Sequence, residues 1–325
     1  MFFRYRYYYG CLTEEQKKIY NTILSGLNTF QKEISIPLIA VDEVTKIYNF
    51  VLWDNPMVFY VRDCSLDSDV HNRRCEIIPN YLYKDDQIKD YSNIIIKYLQ
   101  VFNTQKNKQD INKEQYVHDY CLSNFKYDNS FGDNCYSILG LILNKTAVCQ
   151  GIAHFVKLAH DYLSVPSIVV FGKANNPASN GRTGIHVWNI VNINRNTYHL
   201  DVTFDMTLTK TTNRYDYFNL SDDDIIRDHV VDKNIPACVT KGQDYYTLNS
   251  MTVNGLTDLG DFFKREIERG KMDIIVRINN ITPTDDTAKN VQEIACNKYI
   301  ETTKKGISTG VSYNSNQSVF EINFK

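Results

Sequence analysis

The chain has 325 residues, 43% of them hydrophobic and 23% charged, with a net charge of −2 and a pI near 6.4. This is ample for a buried core and long for one ordinary domain, so two or three units are expected. The near-neutral balance lacks the basic footprint of a nucleic-acid binder, and no apolar run approaches the roughly 18–20 residues that span a bilayer.

The first ten residues interleave arginine with aromatics, which is not a signal-peptide pattern. As written the chain reads as cytoplasmic; a trimmed leader would make it secreted or surface-bound. Phe2–Tyr9 reads as an aromatic strand or anchor packed on the body. Residues 13–28 read as a helix, with Tyr20, Ile23, Leu24 and Leu27 at helical spacing behind Glu14 and Glu15. Val41 to Leu52 gives a second helix, stopped at Asp54-Asn55-Pro56 because the residue before proline avoids helical dihedrals. Val58–Val61 and Glu76–Leu82 read as strands. Ile88, Tyr91, Ile94, Ile95 and Leu99 mark a third helix near 86–103. Together these form an N-terminal α/β region, 1–105.

Residues 106–230 carry the chemistry. In Thr146-Ala147-Val148-Cys149-Gln150-Gly151, the cysteine precedes Ile152, Phe155, Val156, Ala159 and Leu163, one apolar helix face that ends before Pro166. Cys149 therefore falls in the first turn, where free amides and the helix dipole favour thiolate. Gly151 lets a chain or a substrate approach the backbone closely. Ser167–Gly172 is a short apolar strand. Lys173–Gly184 reads as a loop bordering the cleft. Ile185–Val191 and Tyr198–Asp205 then form a hairpin about Asn194-Arg195-Asn196. Its register puts Asp201 within diagonal reach of His186, with Asp205 as the rival of the same parity. Cys149, His186 and Asp201 fit the nucleophile, base and orienter of a thiol triad.

At these residues the sequence resembles the transglutaminase-like superfamily, and bacterial members in particular. Ala-Val-Cys-Gln-Gly, His-Val-Trp-Asn-Ile-Val and Leu-Asp-Val-Thr-Phe-Asp are similar to its three core motifs, in the right order. Tyr116–Tyr120, Tyr127-Asp128, Tyr136-Ser137 and Tyr217–Ser221 add to the likeness, which covers about 115–230. The resemblance implies an α+β, papain-like core in which a catalytic helix packs on an antiparallel sheet. It also implies Cys149 as nucleophile, His186 as base, Asp201 as orienter, and Tyr136 as side-chain donor to the oxyanion. Gln150 and Trp188 are candidates for the substrate cleft, Trp188 with a competing role in sheet packing. No calcium loop of the Asp-x-Asp-x-Asp-Gly kind is present, and the zinc-binding cysteine pairs of the related peptide N-glycanases are missing. No metal or cofactor is therefore expected.

The other seven cysteines show no C-x-x-C spacing, so a zinc ribbon or thioredoxin site is not expected; most read as small buried residues. The spacing permits a Cys64–Cys75 disulfide. His154 and His160 read as helix-surface or packing residues. In Ser221-Asp222-Asp223-Asp224 a capping box, Ser221 with Asp224, is favoured over a metal cluster. Residues 231–325 form a C-terminal α/β region, with strand-like runs at Tyr245–Leu248, Asp273–Ile278, Val311–Tyr313 and Val319–Phe324 and helices near 257–269 and 285–302. The expected activity is a cysteine-dependent hydrolase or acyl transferase acting on peptide or side-chain amides of a protein or peptide substrate. A protein-glutamine transglutaminase and a non-catalytic binding module are the alternatives. Nothing in the sequence sets the oligomeric state.

Overall fold

The computed structural model describes residues 5–69, 71–132, 134–175, 183–210, 212–231 and 235–325. The chain divides into two compact units, Met1–Phe171 with His186–Arg195, and Gly172–Ile185 with Asn196–Lys325. The strands Ser167–Asn175 and Thr183–Ile193 each contribute residues to both. No helix among the described residues is long and apolar enough to cross a membrane.

In the first unit, helix Glu14–Asn28 starts at Thr13, whose side chain and that of Gln16 form a reciprocal capping box. Helix Val41–Asp54 stops at Asn55, ahead of Pro56. Strand Arg74–Tyr81 lies between Ile34–Pro37 and Val61–Asp69 in an antiparallel three-stranded sheet. The strand expected at Val58–Val61 is largely turn, and the strand begins at Val61. Cys64 faces Pro79 and Cys75 faces Ser68 in that sheet. The two cysteines are not cross-strand partners, and neither is in a disulfide. Of the N-terminal aromatic segment, residues 1–4 lie outside the described ones. The rest is a helical turn, Tyr7–Gly10, and not a strand. Tyr8 is buried, packs on Phe50 and Trp53, and donates to the Val169 carbonyl at 2.6 Å.

The centre of this unit is helix Cys149–Leu163. Ile152, Phe155, Val156, Ala159 and Leu163 are all buried, as their spacing requires, but so are Lys157, His160 and Asp161. The helix is therefore enclosed on its polar side too. Lys157 and Asp161, one turn apart, pair at 2.5 Å with no solvent screening, and removing one partner of such a pair costs about 3–5 kcal/mol. Ser164 ends the helix in the left-handed conformation, and the Val165 amide returns to the His160 carbonyl at 2.9 Å.

In the second unit, strand Asn196–Leu200 pairs antiparallel with Phe218–Leu220, and His229–Val230 pairs antiparallel with the end of Ser167–Asn175. A four-stranded sheet follows in the order Thr252–Asn254, Asp273–Asn279, Val319–Phe324, Thr309–Asn314, its first pair parallel and the others antiparallel. Its core takes Leu259, Phe262, Phe263 and Ile267 from helix Leu259–Glu268, and Ala288, Val291 and Ala295 from helix Asp285–Thr303. Tyr245–Leu248, expected as a strand, is a single helical turn capped by Asp244, which accepts the Thr247 amide at 3.1 Å.

Candidate active site

Cys149 is the first residue of its helix, and Val148 at the N-cap offers no side-chain cap. The N–H groups of the first turn thus have no side chain folded back on them, and the positive end of the dipole meets the thiol. The helix start is fixed by its own backbone. The Val148 amide donates to the Cys135 carbonyl at 2.9 Å. A Cβ on Gly151 would stand 2.8 Å from that carbonyl and from Ala147 Cβ, and 2.9 Å from the Ser137 carbonyl. The close approach foreseen at Gly151 is therefore made by the segment 135–137. Tyr136 lies in that segment and is 56% exposed. Gln150 is half-buried, and its carbonyl takes the His154 ring nitrogen at 2.8 Å. Cys149 itself packs on the buried trio Ala153, Val169 and Val187.

His186 belongs to the same unit as Cys149 and is 6% exposed. Asn189, buried three residues on, donates to the carbonyls of Ala153 on the helix (3.0 Å) and Ile168 on the neighbouring strand (3.1 Å). One carboxamide thus ties the strand of His186 to the helix of Cys149. Trp188 is 1% exposed, and its ring lies parallel to His186, centroids 6.0 Å apart at 14°. Of the two readings of Trp188, this burial favours packing beside the imidazole. His160 is fully buried, and burial, with Lys157 beside it, pushes it down to about 3. His154 and His160 thus serve packing.

Asp201 lies in the second unit and is completely buried. The strand expected to run to Asp205 ends at Leu200. Asp201 then caps helix Val202–Leu208, accepting the Phe204 amide at 3.0 Å through Oδ1. Its other oxygen meets His229 Nε2 at 3.0 Å, and His229 Nδ1 meets Asp228 at 2.7 Å. Tyr217 donates to the second oxygen of Asp228. Burial disfavours the charged ring, but the bonds to Asp201 and Asp228 outweigh it and hold His229 above its ordinary value. Asp205, on the helix and not on a strand, accepts the Tyr217 amide at 3.1 Å. The parity argument that made it a rival to Asp201 therefore has no strand to act on. His229 escaped the sequence reading: it stands 28 residues from Asp201, in no motif.

Of the expected loop Lys173–Gly184, residues 173–175 and 183–184 are strand, and 176–182 lie outside the described residues. Ser221 does sit at the N-cap of Asp222–Ile225, but its hydroxyl donates to Asp224 at 2.6 Å and caps no backbone amide.

Residues 99–202 match the family model of the transglutaminase-like superfamily. Cys149, His186 and Asp201 all fall within the matched segment. No curated protein matches the chain. Among solved structures, a proposed cysteine protease from Cytophaga hutchinsonii is similar at 13% identity over 44% of this chain and 62% of that one, with a TM-score of 0.28. A TGase is similar at 15% identity over 56% of this chain and 53% of that one, with a TM-score of 0.30. The chain thus spans less than two thirds of the length of either.

Proposed function

We propose that this protein is a cysteine-dependent hydrolase that cleaves peptide or side-chain amide bonds through a thioester. The observation that carries the reading is the position of Cys149: first residue of a buried helix with an uncapped start, inside the superfamily segment. His186 takes the thiol proton. The thiolate adds to the amide carbonyl, and the oxyanion so formed accepts the Cys149 amide and the Tyr136 hydroxyl; one such donor contributes about 10²–10³ in rate. His186 returns its proton to the departing amine, leaving a thioester on Cys149. Water, deprotonated by His186, then releases the acid and restores the thiol. Asp201 orients the imidazole and stabilises its charged form. The substrate is a protein or peptide.

The test is mass spectrometry of a peptide mixture incubated with the protein and a labelled primary amine, beside a Cys149→Ala control. Cleaved or deamidated products absent from the control support hydrolysis. Labelled amine on glutamine side chains would replace hydrolysis by transfer. No Cys149-dependent product, together with a Cys149 that resists alkylation at neutral pH, would overturn the enzyme reading in favour of a binding module.

A further inference from the structure

A constellation of side chains with metal-ligating atoms lies within the second unit. His199, Asp222 and Cys238 bring one imidazole nitrogen, one carboxylate oxygen and the thiol sulfur all within 4.8 Å of one another. They come from three segments: strand Asn196–Leu200, the start of helix Asp222–Ile225, and the chain after Pro236. His199 Nε2 meets Asp222 Oδ1 at 2.9 Å. His199 and Cys238 are wholly buried, whereas the Asp222 side chain is 36% exposed and leaves the cluster a way to solvent.

The arrangement is held by backbone and side-chain bonds around the three residues. The Asp222 amide donates to the Cys238 carbonyl and the Cys238 amide to Asp222 Oδ2, both at 2.8 Å, closing a ring between the two residues. Thr197 donates to the Ala237 carbonyl at 2.6 Å, and Thr240 to Asn196 Oδ1 at 3.0 Å. The segment bearing Cys238 is therefore stitched on both sides of the cysteine to the strand bearing His199. The thiol itself makes a long contact with the Pro236 carbonyl, 3.7 Å, and a side-chain hydrogen bond with Thr197.

We infer that His199, Asp222 and Cys238 form a binding site for a zinc-class divalent ion, with a fourth position open on the Asp222 side. Thiolate, imidazole and carboxylate together are a donor set for zinc and cobalt, not for calcium or magnesium. Tetrahedral zinc spaces such donors about 3.3–3.6 Å apart. The His199–Asp222 contact, 2.9 Å, opens by about half an ångström to meet that spacing. On binding, Cys238 gives its proton to solvent and the sulfur takes the metal, while the imidazole carries its proton on Nδ1. Burial pushes the free Cys238 thiol up to about 12, so without metal this is a neutral thiol and not a second nucleophile.

The test uses the full chain carrying Cys149→Ala, which removes the other candidate thiolate, and cobalt(II) chloride alone as probe. One equivalent of cobalt should bind with a sulfur-to-cobalt charge-transfer band and the intense visible bands of a tetrahedral ion, and zinc should displace it. Adding Cys238→Ser should abolish the charge-transfer band. If that variant does not fold, Asp222→Asn decides: it keeps the acceptor for the Cys238 amide, and cobalt affinity should fall at least tenfold. Absence of the band in the parent, its survival in Cys238→Ser, or unchanged affinity in Asp222→Asn would overturn the site.

Discussion

Two helix starts, one in each unit, are finished in opposite ways. The helix of Cys149 opens with no side-chain cap, and its first residue is half-buried. The helix of residues 202–208 opens on Asp201, whose carboxylate caps it, holds His229 and has no exposure at all. The difference separates two tasks. An open helix start keeps donors and positive potential for a group that arrives later, whereas a capped one spends them on holding its own fold.

The largest break in this contrast comes from emptying the open end. Cys149→Ala should remove turnover by about 10⁴-fold or more, as loss of a nucleophile does. It should change stability by no more than about 1 kcal/mol, because the side chain is half-buried and caps nothing. Peptide-product assays and urea melts check both halves; a large stability loss would show that Cys149 is structural. Next comes the closed end. Asp201→Asn keeps an oxygen for the Phe204 amide but removes the charge, so the rate should fall about 10³–10⁴-fold while the helix cap survives. Asp201→Ala should add about 0.5–2 kcal/mol of instability for the lost cap, and more for the lost bond to His229. Equal unfolding midpoints for the two variants would disprove the capping role. A smaller effect is expected at Gly151→Ala. The new methyl meets two carbonyls and the Ala147 methyl at 2.8–2.9 Å, and such overpacking costs about 1–3 kcal/mol. A variant as stable as the parent, by the same melts, would mean that the 135–137 segment gives way freely.

The two starts also differ in how far they could be read from sequence. The Cys149 helix announces itself, because Ile152, Phe155, Val156, Ala159 and Leu163 all belong to one buried surface. Its buried Lys157 and Asp161 do not, since their pairing depends on what covers them. At Asp201 the reading failed in part: Val202-Thr203-Phe204 has strand composition, and the helix there is decided by the Asp201 cap and by burial of Phe204. Phe59 and Tyr60 misled in the same manner, their aromatic character belonging to a buried turn. The turn at Tyr245–Leu248 had a readable signal in Asp244, three residues before the amide it caps. His229 had none, since pairing at a separation of 28 residues leaves no local pattern.

The smallest expected effect tests the closed end by pH. His229 faces Asp201 and Asp228, which bond it, the rings of Phe204 and Tyr217, and His199, which it influences. Its folded value is raised. The stability it contributes is therefore whole below the unfolded value, about 6.5, and is lost as pH rises through the folded value. His199 and His160 are lowered by burial and act in the other sense, costing stability as pH falls below about 6.5. The profile of the whole protein mixes the two, so the measurement is a difference. The gap in unfolding free energy between the parent and His229→Gln should shrink as pH rises from about 6 to about 9. A gap that holds constant, or widens, would mean that His229 is neutral in the folded protein. Asp201 would then face an uncharged ring, and the buried end of the contrast would be a hydrogen-bonded scaffold without an ion pair.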